Sequence, residues 1–177
     1  MQGLDKQPSE LAILAHVRRH YVAARWRNVL IVYWQKQGSL QAVQKVDALL
    51  GQMAETTELR ISCVHLIKDG AGLPDDATRA AVRALHQRHA DRLACLGVVL
   101  MGGGFWASAL QSVLTALRAV GGPRSSTMRF ARTPSELADW LPAEHAARTG
   151  VRLQERELAA AIARVLDVGN ASPSLAS

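Results

Sequence analysis

Cysteine is scarce: Cys63 and Cys95 are the only two in 177 residues. Two cannot make a disulfide framework, and each lies in an apolar, strand-like run where a free thiol behaves as a small hydrophobe. They read as reduced core residues of a cytoplasmic protein, with pairing between neighbouring strands left open. No apolar run approaches the roughly 18 residues of a membrane span. The opening MQGLDKQPSE has no positive segment followed by an apolar one, so no secretory leader is expected. A lysine-rich block is missing as well. The net charge of +6 and the pI near 10 come from arginines dispersed among acids, which reads as a solvated basic surface rather than a nucleic-acid face. There is no internal repeat.

Catalytic signatures are equally sparse. The one adjacent acid pair, Asp75-Asp76, is accounted for by helix-start electrostatics, and no Ser-His-Asp or Cys-His arrangement announces itself. Among six histidines, His16 with His20 and His86 with His89 form suggestive pairs, but no cysteine or carboxylate stands at matching spacing, so no metal site is expected. His65 lies within a strand-like run and reads as a hydrogen-bonded core histidine. No cofactor is implied.

What is present is apolar patterning. Leu93 to Met101 is an uninterrupted run of strand length, followed by Gly102, Gly103 and Gly104 and then by Trp106, Ala109, Leu110, Val113, Leu114, Leu117 and Val120 at helical spacing. A strand without alternation is covered on both faces, as in a parallel sheet, and the glycines permit a tight turn. Upstream, Leu11 to Trp34 reads as two or three short antiparallel strands with Arg27-Asn28 as a turn, a helix over residues 10–20 being the competing reading. Ser39 is a candidate N-cap for a helix burying Leu40, Val43, Val46, Leu49, Leu50 and Met53. Leu59 to Ile67 is the next strand. Pro74 is expected at the first position of a helix that buries Ala77, Ala81, Val82, Leu85 and His89. Thr127 to Ala131 reads as a last strand, and Thr133-Pro134-Ser135-Glu136 as a capping box whose helix Pro142 ends. A second helix is expected over Leu153 to Leu166.

This order predicts an α/β fold with a mixed, mostly parallel sheet flanked by helices. The expected divisions are a loose N-terminus (1–10), the α/β domain (11–142), a C-terminal helical appendage (143–168) packing in cis or on a second copy, and a disordered tail (169–177). A chain of this length can bury roughly 70% of its unfolded surface without a disulfide or metal staple.

Several stretches carry a family resemblance: the strand pair leading to VLIVYW, the strand-loop-helix with LPDDATR, the segment VVLMGGGFWASALQSVLTAL, and the closing RFARTPSELADWL. Over about Leu11 to Leu141 the layout resembles bacterial STAS/SpoIIAA-like (STAS/SEC14-like) domains. The resemblance implies a non-catalytic, cytoplasmic regulatory module that binds a protein partner or a small ligand. In the anti-sigma-factor antagonists of that group a serine near the start of the helix after the third strand is phosphorylated. Here the region from Asp69 to Ala77 has no hydroxyl before Thr78, so that switch does not carry over.

The candidate contact surfaces are the loops at Asp69, Gly70, Leu73 and Pro74 and at Gly102, Gly103, Gly104, Phe105 and Trp106, at the strand ends where open α/β sheets bind ligands. Either loop could instead serve tight turning, and both aromatics could cap the core. Arg79, Arg83 and His86 fall on one helix face and form a candidate basic row. The leading expectation is therefore a partner-binding module, with a protein partner, a possible homodimer, no membrane span and no nucleic acid. The alternative is a lipid- or phosphate-bearing small-molecule binder or enzyme with a pocket at the C-terminal strand ends.

Overall fold

Strands β1 (Ala12–Val17), β2 (Tyr21–Trp26) and β3 (Val29–Trp34) open the structure as an antiparallel meander. The computed structural model describes residues 10–104, 108–112, 115 and 127–171. The strand reading of residues 10–20 holds and the helical one does not, because β1 finds a partner edge in β2. The two turns are tight: Arg19 at φ 60 and Arg27 at φ 52 occupy the left-handed region, where the strand twist is accommodated. β2 and β3 are buried almost throughout, whereas edge strand β1 leaves Ile13 and Val17 exposed.

The chain then alternates. Helix α1 (Leu40–Thr56) is capped by Ser39, whose Oγ accepts from the Ala42 N–H, and buries the expected stripe except Leu40, which is exposed. Strand β4 (Ile61–Lys68), helix α2 (Asp76–Arg88) and strand β5 (Leu93–Met101) follow. Residues 108–112 are helical, and strand β6 (Thr127–Ala131) completes the sheet. Strand order is β1-β2-β3-β4-β5-β6, with β3 to β6 parallel. The expected α/β fold with a mixed, mostly parallel sheet is thus present.

Helices α3 (Pro134–Thr149) and α4 (Glu155–Asn170) finish the described chain. The sheet carries two cores. On one face α1, α2 and Leu110 cover Leu30, Val32, Ile61, Leu93, Leu96 and Val98. On the other, α3 and α4 cover Val22, Ile31, Tyr33, Val64, Leu66 and Val99. Gly97 belongs to this packing, since a Cβ there would collide with Leu137 of α3.

Several local expectations are corrected. α2 begins at Asp76 with Asp75 as its N-cap, accepting from the Thr78 N–H at 2.7 Å, so Pro74 precedes the cap. That shift leaves Ala77 exposed and buries Thr78. Pro142 does not end α3. A proline inside a helix forfeits one backbone bond, but Leu141 and His145 on either side are fully buried, and the helix stops instead at Gly150, φ 74, whose N–H donates to Ala146 O. Thr133 caps α3 as expected, accepting from the Glu136 N–H, while Glu136 reaches back to the Arg132 N–H.

The last helix is longer than expected and docks in cis. Gly169 and Asn170, expected in the tail, are helical: Gln35 Nε2 donates to Gly169 O at 2.7 Å and the Tyr33 hydroxyl to Asn170 Oδ1 at 3.0 Å. Arg27 ties the other end through Glu157 at 2.8 Å. The remaining tail, 172–177, and the N-terminal residues 1–9 lie outside the described residues.

Candidate functional site

The strand pattern places Trp34, His65, Ile67, Leu93, Leu96 and Val98 on the sheet face beneath α1 and α2. Because α2 contributes mainly Thr78, Val82, Leu85 and His86 to this side, the layer does not close fully, and a cavity of about 140 Å³ remains between helix and sheet. It extends from the loops after β3 and β4, at Lys36, Gly38, Ala71, Gly72 and Pro74, inward to Ala90 and Leu93. Val43, Val46, Leu110 and Met128 complete an otherwise apolar wall.

The polar groups of Trp34, His65, Thr78 and His86 interrupt that wall. Trp34 Nε1 donates to His65 Nδ1 at 3.1 Å, and the two rings stack at 17° with centroids 6.3 Å apart. Burial and the neighbouring His86 push the His65 pKa down to about 3, while burial and His89 push His86 down to about 4. Both are neutral imidazoles near pH 7. Thr78 is 1% exposed and its side chain stands beside the Asp75 carboxyl, which bonding by Thr78 holds below its ordinary range.

The expected loop residues are partly drawn in. Ala71, Gly72 and Pro74 line the cavity, while Asp69, Gly70 and Leu73 point outward, Leu73 being 41% exposed. Gly72 sits at φ 91 with a hypothetical Cβ 3.1 Å from Gln37, so glycine is required there. The glycine triplet meets the same loop: Asp69 lies so close over Gly102 that a Cβ would overlap its carboxylate, and β4 and β5 end side by side at Lys68 and Met101. Gly103 and Gly104 are exposed, and Phe105 and Trp106 lie outside the described residues.

Arg79, Arg83 and His86 do not present one basic face. Arg79 folds back to Asp76 and to Pro74 O, Arg83 is exposed, and His86 lines the cavity. His89 instead pins α2 to α1 through Asp47 at 2.7 Å, alongside an Arg88–Asp47 ion pair.

A second polar cluster escaped the sequence reading. On the opposite face of the sheet, Ser62 Oγ lies 2.7 Å from His145 Nδ1, and His145 Nε2 lies 3.1 Å from Asn28 Oδ1. Asn28 Nδ2 donates to Arg60 O at 2.8 Å, so its Oδ1 accepts from His145 Nε2–H, and Ser62 donates to Nδ1. The order of groups mimics a hydrolase triad, yet all three are at most 1% exposed and none lines the cavity. Burial holds His145 down to about 4. This is a buried strut joining α3 to the β2–β3 turn and β4, separated by up to 117 residues.

Cys63 and Cys95 are free and buried, and the register sets Cys63 opposite Leu96, so the two thiols face different cores. Burial pushes the Cys63 thiol up to about 12, far from a nucleophilic thiolate. Among the described residues no three His, Cys, Asp or Glu side chains are grouped to hold a metal, and no helix is long and apolar enough to cross a membrane.

No protein-family model, curated protein or solved structure matches this chain.

Proposed function

We propose that this chain is a non-catalytic binding module that holds a small, largely apolar molecule between α2 and the sheet. The observation that carries this reading is the largely apolar cavity of about 140 Å³ that opens at the loops after β3 and β4. An apolar occupant would remove the facing Val, Leu, Ile and Met side chains from water, which favours binding. The fit to a STAS/SpoIIAA-like regulatory module belongs to the same proposal, with support from the α/β layout and from the loop position of the cavity mouth.

Native and denaturing mass spectra of the purified protein test it. The expected result is an added mass that survives in the native spectrum, vanishes on denaturation and is missing from Val82→Trp, whose indole would occupy the cavity. An added mass that Val82→Trp retains would place the occupant elsewhere and end this reading.

A partner-docking role has one specific observation behind it. Leu73 stands 41% exposed on the loop whose neighbours Gly72 and Pro74 line the cavity. A partner seated there is expected to be lost from Leu73→Asp while the cavity still takes its occupant.

A further inference from the structure

The hydrogen bond from Trp34 fixes more than the position of His65. An indole N–H can only donate, so Nδ1 of His65, 3.1 Å away, is the acceptor and the neutral ring carries its proton on Nε2. Among the described residues that Nε2–H has no partner, and His65 lines the cavity. The wall therefore contains an obligate donor. Thr78 adds a hydroxyl able to donate or accept, and His86 a second imidazole, to the same wall.

Charge and size narrow the occupant further. Among the described residues no carboxylate lines the cavity, and Lys36, exposed on the loop after β3, is the single formally charged one that does. Beyond Trp34, His65, Thr78, His86 and Lys36 the described lining is Val, Leu, Ile, Met, Ala, Gly and Pro, an environment that replaces little of an ion's hydration. At about 140 Å³ the space is close to the roughly 150 Å³ engineered apolar cavity that accommodates benzene. The stacked Trp34 and His65 rings provide a flat wall for a planar guest.

We infer that the cavity selects an uncharged, single-ring-sized compound bearing one oxygen that accepts a hydrogen bond from His65 Nε2, with Thr78 as a second polar contact. This rests on reading the cavity as a ligand site, and it adds the chemical class.

Three probes of nearly equal size separate the two claims: acetophenone, neutral with a carbonyl; ethylbenzene, neutral without one; and benzoate, charged. Saturation-transfer NMR gives their affinities for the wild type, for His65→Phe, which keeps a ring and loses the donor, and for Val82→Trp. Acetophenone is expected to weaken about fivefold or more in His65→Phe, the worth of one net hydrogen bond, while ethylbenzene is unchanged. If His65→Phe fails to fold, the acetophenone carbonyl stretch in the wild type supplies the answer, with a shift to lower frequency on binding expected. Acetophenone that is insensitive to His65→Phe, or an unshifted carbonyl band, would overturn the acceptor requirement and leave the ligand site standing. Benzoate binding more tightly than acetophenone at pH 7 would overturn the uncharged class. Binding of neither neutral probe, or binding that Val82→Trp leaves intact, would remove the ligand site itself.

Discussion

Three histidines, one buried and two partly buried, make the stability of this fold sensitive to acid. His65, His86 and His145 have pKa values lowered to about 3, about 4 and about 4 from an ordinary 6.5. The unfolded chain therefore takes up protons between about pH 6.5 and 4 while the folded chain does not. The stabilisation is complete above about pH 6.5 and is lost as pH falls towards 4, with a slope of up to about 1.4 kcal/mol per pH unit for each histidine. Urea titrations at pH 7, 6, 5 and 4.5 should show this fall. In His145→Gln the protein should be weaker at pH 7, because Ser62 and Asn28 lose their shared partner, yet its stability should drop less steeply by about one proton. An equal slope in the variant would mean that His145 is already protonated in the folded state. Almost nothing of this was legible in the sequence. Asn28, Ser62 and His145 become neighbours only through packing, and an isolated histidine in an apolar run does not reveal which of its nitrogens is bonded. His65 is the exception, since its place inside a strand predicted a bonded core ring and the Trp34 contact supplies it.

At the scale of elements, the pattern was most readable where one residue type forces a conformation. Ser39, Thr133 and the β6 boundaries follow the sequence directly. The errors arose where burial outweighed a local preference: α3 runs through Pro142, and α4 continues to Asn170 because Tyr33 and Gln35 bind its last turn. Two glycine substitutions distinguish propensity from packing. Gly51 lies inside α1, and a Cβ there meets only His89, at 3.8 Å. Gly51→Ala should raise stability by about 0.5–1 kcal/mol. A Cβ at Gly169 falls 2.6 Å from the ring of the fully buried Tyr33. Gly169→Ala should lower stability by about 1–3 kcal/mol, overpacking exceeding the propensity gain near a helix end. Thermal unfolding of the two variants checks both signs. A neutral Gly169→Ala would mean that α4 can move away from the sheet at little cost.

Across the whole molecule, the α/β layering was legible because β2, β3, β4 and β5 are apolar on both faces and the helices between them on one. The cavity was not, since it depends on how far α2 stands from the sheet and on which of its residues turn inward. Of the loop from Asp69 to Pro74, Ala71, Gly72 and Pro74 reach the cavity, and His86, which the sequence placed in a basic row, lines its wall. The central claim is that this space admits a guest. Its most direct measurement is a methyl-labelled NMR titration with acetophenone, following the Val, Leu and Ile methyls on both faces of the sheet. Shifts confined to Val43, Val46, Ile67, Val82, Leu85, Leu93, Leu96, Val98 and Leu110 are predicted, with Val64, Leu66, Leu137 and Ile162 on the opposite face unmoved. Unmoved cavity methyls at millimolar probe, or shifts centred on exposed Ile13, Val17 or Leu73, would contradict it.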